Sequence, residues 1–74
     1  MSTASCEIDQ TWEVVKDFPT GWELSVGDTL FIAGTHSYPN DPPELGNVMT
    51  CINPNGVKYI REYLLKKYCI LRIA

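Results

Sequence analysis

Trp22-Glu23-Leu24-Ser25-Val26-Gly27-Asp28-Thr29-Leu30-Phe31-Ile32 is the stretch from which the fold is read. Leu24 and Val26 alternate with Glu23 and Ser25, the period-two mark of a half-buried strand. Gly27-Asp28 then bends the chain sharply, because Gly reaches positive φ at no steric cost. Thr29 to Ala33 is a second β-type run, with Leu30 and Ile32 on one face.

Toward the N-terminus, Cys6, Ile8, Gln10, Trp12 and Val14 share one parity, while Glu7, Asp9 and Glu13 share the other. This predicts one long strand or two short ones with Trp12 and Val14 facing inward, ended by Phe18-Pro19-Thr20-Gly21. Toward the C-terminus, Gly34 to Gly46 is an irregular loop, GTHSYPNDPPELG. Its three prolines, Pro39, Pro42 and Pro43, exclude a helix and any central strand. Asn47 to Ile52 reads as a strand with Val48, Thr50 and Ile52 on one face. Asn53-Pro54-Asn55-Gly56 is a hairpin turn, and Val57 to Ile60 the return strand. Arg61 to Lys67 is the one helical stretch, barely two turns, anchored by Leu64 and Leu65. Tyr68 to Ile73 closes the chain as a strand. Ile60, Leu64, Tyr68 and Leu71 also fit a helix from Lys58 through Ile73, but the β-branched end favours strand. Leu24, Val26, Leu30, Ile32, Val48, Ile52, Leu64 and Leu71 are expected to form one core.

Glu23-Leu24-Ser25, then Gly27-Asp28, then Leu30 and Ile32, resembles the diverging turn of SH3 domains, with a shorter spacer before the Gly. Gly56-Val57-Lys58-Tyr59-Ile60, a short turn and a closing strand are similar to the end of an SH3-like barrel. The family's acidic-aromatic motif in the first strand is absent, as is its tandem Trp. The resemblance therefore implies the architecture and no binding residues: a mainly β, SH3-like barrel of five to six strands with one short helical turn near the C-terminus. Tudor-like and KOW-like barrels resemble the chain in the same way.

Seventy-four residues make one domain, 1–74, in which the small, polar residues 1–5 are expected to fray. A domain this short buries only about 60% of its unfolded surface, so its core has little stability to spare. No tract is long and apolar enough to span a bilayer, and MSTASCEIDQ lacks the basic start and apolar centre of a secretory signal. Those features point to the cytoplasm. Cys6, Cys51 and Cys69 have no CxxC spacing, and they read as buried free thiols in a reducing compartment. His36 would complete a zinc set with them, but structural zinc sites draw ligands in close pairs from tight turns, and this chain has no such pair. Neither metal nor cofactor is expected.

The net charge is −3, and its distribution is lopsided. Residues 1–50 carry eight carboxylates against one cation, Lys16, while residues 51–74 carry five cations against one carboxylate, Glu62. Such halves attract each other across a fold, or present oppositely charged faces to a partner.

Catalysis finds little support in the sequence. His36 beside Ser37 is no triad, the thiols lack a reserved base, and Asp41 and Glu44 would both be solvated on a Pro-rich loop. Lys58, Arg61, Lys66, Lys67 and Arg72, interleaved with Tyr59, Tyr63 and Tyr68, suit single-stranded RNA or DNA, as in a KOW- or Tudor-like barrel. The acidic remainder of the chain opposes that reading. The favoured expectation is a non-catalytic protein-binding module that meets a basic surface, of the kind phages use to block a host enzyme or defence complex. Trp22, His36, Tyr38, Asp41 and Glu44 are the expected contact residues. Tyr38 and Trp22 would act as apolar anchors, and Asp41 and Glu44 as an acidic rim.

Overall fold

The computed structural model describes residues 6–73. The chain is small and mainly β, with strands β1 (Thr11–Val14), β2 (Thr29–His36), β3 (Val48–Asn53), β4 (Gly56–Arg61) and β5 (Cys69–Ile73). They form one antiparallel sheet in the order β4-β3-β2-β1-β5, so the sheet curls around the core and leaves β4 and β5 as its two edges. Helix α1 (Glu62–Tyr68) connects those edges, as the REYLLKK stretch predicts, and packs against β1, β4 and β5. The expected fraying of residues 1–5 lies outside the described residues.

Alternation decides which side chains enter the core. Trp12 and Val14 of β1 and Leu30 and Ile32 of β2 point inward as predicted, and Leu64 and Leu65 seat α1 on the core. Met49 and Cys51 of β3, Ile60 of β4 and Cys69 of β5 complete it, with Cys6, Phe18 and Leu24 arriving from loops.

Four expected core members differ. Ile52 is 47% exposed and Val26 is 56% exposed, while Val48 and Leu71 are half-buried. β3 is apolar on both parities, and its pairing with β2 settles the choice. Ile32, already inward, lies opposite Cys51, so Cys51 goes in and Ile52 goes out opposite Phe31. Polar Asn53 takes the inward place near the hairpin tip. Its amide donates to the Thr29 carbonyl at 3.1 Å, and its Oδ1 accepts the Asn55 N–H at 2.8 Å.

The segment Trp22–Val26 is not a strand, because Glu23 adopts a left-handed φ of +58° that breaks the alternation after Trp22. Leu24 alone is buried. Ser25 to Asp28 is a tight turn with Gly27 at φ +99°, closed by Asp28 N–H to the Ser25 carbonyl and by Ser25 N–H to Asp28 Oδ2. Val26 sits at its corner, in solvent. The turn docks on β1 through Gly27 N–H to the Val14 carbonyl and Val14 N–H to the Asp28 carbonyl.

The first strand begins only at Thr11, because residues 7–10 form a turn with Asp9 at φ +74° and Ile8 half-exposed. Gln10 is buried within that turn. Its Oε1 accepts both the Glu7 N–H at 2.8 Å and the Trp12 indole N–H at 3.0 Å. β2 runs three residues past its expected end at Ala33, through a bulge between Ile32 and Gly34, so His36 lies on a strand and not in the loop.

Candidate functional site

The Pro-rich connection between β2 and β3 is held from one place, the junction of β4 and α1. Pro43–Leu45 forms a single 3₁₀ turn, where the prolines had been expected to exclude a helix. A 3₁₀ turn of three residues needs few backbone donors, and Pro is tolerated at its start. Arg61 reaches back from β4 to this loop. One guanidinium nitrogen forms an ion pair with Asp41, another donates to the Gly46 carbonyl at 3.3 Å, and the guanidinium lies 5.4 Å from the centre of the Tyr38 ring.

Glu62, the next residue, fixes the far end of the same loop. Its N–H donates to the Asn47 carbonyl at 2.8 Å, and its Oε1 accepts the Asn47 N–H at 3.2 Å. Its Oε2 accepts the Cys6 N–H at 3.4 Å and lies 3.7 Å from Lys66 Nζ, one turn along the helix. No side chain caps the start of α1, and the Glu62–Asn47 backbone bond partly fills that role.

These contacts leave Tyr38 about half exposed on a shallow depression of about 280 Å³ walled by Pro39, Asp41, Pro43 and Asn47. Asp41 is half-buried in its ion pair and not a free rim charge. Glu44 is exposed on the 3₁₀ turn beside Tyr63 and Lys66 of α1. His36 is exposed at the end of β2. Trp22 belongs to a different cluster. It is half-buried and packs edge-on against Phe18 at 5.9 Å, and Phe18 in turn meets Tyr68 at 5.2 Å, so these rings close one end of the core. Of the five expected contact residues, Tyr38, Asp41 and Glu44 thus sit on the clamped loop, Trp22 lies in the aromatic cluster, and His36 stands at the end of β2.

The basic set is largely engaged. Lys58 pairs with Glu23 at 3.6 Å, Arg61 with Asp41, Arg72 with Glu13 at 3.0 Å, and Lys66 with Glu62. Three of these pairs join the basic C-terminal third to the acidic remainder, so the charge asymmetry acts within the fold. Lys67 has no carboxylate partner among the described residues and lies 5.6 Å from the centre of the Tyr68 ring.

The three thiols are free and buried. Burial pushes each of them up to about 12; Glu62 adds to the effect at Cys6, and the neighbouring thiols add to it at Cys51. They are therefore neutral near pH 7 and poor nucleophiles. Exposed His36 does not join them, and among the described residues no three His, Cys, Asp or Glu side chains converge as a metal requires. No helix among those residues is long and apolar enough to cross a membrane. Comparison with known proteins finds no matching family model, curated protein or solved structure.

Proposed function

We propose that this chain is a small, non-catalytic, cytoplasmic protein-binding module whose contact face is the clamped loop around Tyr38. The observation that carries this reading is the Arg61 clamp. A guanidinium that binds Asp41, the Gly46 carbonyl and the Tyr38 ring holds the loop in one shape before any partner arrives. An exposed aromatic on a pre-ordered loop gives up little conformational entropy on binding, which is what makes Tyr an effective anchor. Glu44, exposed on the 3₁₀ turn of the same loop, supplies an acidic charge suited to a basic partner surface such as the one a phage-type inhibitor would block. Trp22 contributes by supporting the fold through Phe18, and His36 borders the loop at the end of β2.

The ion pairs weigh against the nucleic-acid alternative. Four of its five cations already face carboxylates, and an acidic body repels a phosphate backbone. The neutral thiols weigh against covalent catalysis. The test is capture of a partner from nuclease-treated extract, followed by rebinding of the purified pair. Tyr38→Ala should weaken the complex at least about tenfold, mainly through faster dissociation, while lowering the melting temperature by no more than a few degrees, the loss of one exposed cation–π contact. Capture of RNA or DNA alone, abolished by Lys66→Ala/Lys67→Ala, would decide for the alternative.

A further inference from the structure

The β4 edge lacks the protection that edge strands usually carry. It is six residues long, pairs with β3 without a bulge, and contains no proline. Its two cations are already matched by carboxylates. The Lys58 and Arg61 side chains are 15% and 25% exposed and are already paired with Glu23 and Asp41. The residues presented outward are Val57 and Tyr59, 53% and 61% exposed.

The direction of the backbone follows from the hairpin. Asn53 pairs with Gly56, and the Glu62 N–H bonds the Asn47 carbonyl in the same ladder. Even-numbered residues of β4 therefore exchange hydrogen bonds with β3, and the N–H and C=O groups of Val57, Tyr59 and Arg61 point away from the sheet. The Arg61 carbonyl, at the N-cap position of α1, is taken by the first helical turn, and among the described residues no loop or turn bond engages the other outward groups.

We infer that this edge pairs with the β4 edge of a second copy of the chain, antiparallel about a two-fold axis through Tyr59. In that register Val57 lies opposite Arg61 of the second copy and Tyr59 opposite Tyr59, so the two Tyr59 residues exchange N–H to C=O bonds and each Arg61 N–H meets a Val57 carbonyl. Tyr59 stacks on its own image as a cross-strand aromatic pair, and Val57 lies along the aliphatic stem of Arg61. Lys58 lies opposite Ile60, so no cation directly faces another. The exposed apolar row Phe31–Ile52–Val57, already aligned across β2, β3 and β4, runs on into the second copy.

Six residues span about 20 Å, so the join is one strand edge, smaller than the about 800 Å² per partner of a standard interface, which makes the dimer a dissociating one. It shares Arg61 with the Tyr38 clamp but not Tyr38 itself, and would display two such faces on one body.

The test compares sedimentation and amide hydrogen exchange of the full chain at about 10 μM and about 1 mM, which bracket a weak dissociation constant. At the higher concentration a dimer should form, and the amides of Tyr59 and Arg61 should exchange at least about tenfold more slowly, while Lys58 and Ile60 stay unchanged. Val57→Lys/Tyr59→Lys, on exposed side chains, should keep the monomer's circular dichroism and remain monomeric. Tyr38→Ala should dimerise normally, which separates this interface from the partner-binding face. A chain monomeric at both concentrations would overturn the inference, as would a dimer insensitive to the double substitution or protected elsewhere.

Discussion

A Cβ placed on Gly46 would stand 2.7 Å from the Cβ of Glu62 and 2.8 Å from its Oε1. Gly46 also adopts φ +73°, so any other residue there is strained by backbone and neighbour together. The carboxylate it touches bonds both the loop and the N-terminal segment. Gly46→Ala is expected to cost at least about 2 kcal/mol, since left-handed strain alone costs about 1–3 kcal/mol. Urea unfolding measures this, and a cost below about 0.5 kcal/mol would mean that Glu62 can turn aside freely.

Gln10 holds the Trp12 indole N–H inside the core, where Trp12 is almost wholly buried. Gln10→Leu should cost about 1–3 kcal/mol, because it leaves that donor and the Glu7 N–H without an acceptor. A neutral result would show that water reaches the indole.

The inward face of β2 and the outward face of β3 can be tested by a pair of substitutions. Leu30→Ala, at a fully buried site, should cost about 2–5 kcal/mol and unfold much of so small a domain. Ile52→Thr, on the outer face, should cost less than about 1 kcal/mol. Equal losses would mean that the outer row is covered in solution.

Alkaline pH should destabilise the chain through its thiols. Unfolded cysteines lose their protons near 9.0, whereas the three buried ones hold theirs to about 12. Between those values the folded state binds more protons than the unfolded state, so stability is intact below pH 9 and falls as pH rises through the window. Melting temperatures at stepped pH should fall less steeply in Cys51→Ala than in the parent chain. Identical slopes would assign the loss to other groups.

The mainly β architecture, the NPNG hairpin, the short helix before the last strand and the inward faces of β1 and β2 were legible in the sequence. Each rests on local chemistry: a two-residue period, a Pro-Asn-Gly turn, or paired leucines on one helical face. Tyr38 stood out in the same way, as an aromatic on a Pro-stiffened loop. The clamp that orders it did not, because Arg61 and Asp41 lie 20 residues apart and Glu62 and Cys6 lie 56 apart, separations that carry no period. Ion pairing likewise turned five apparent free cations into four engaged ones. Ile52 and Cys51 were equally apolar candidates for the core, and only pairing with β2 separated them. Local pattern determined which segments became strands, turns and helix. Long-range pairing decided which face of β3 was buried and which charges remained free, because those outcomes depend on partners that one-dimensional spacing does not encode.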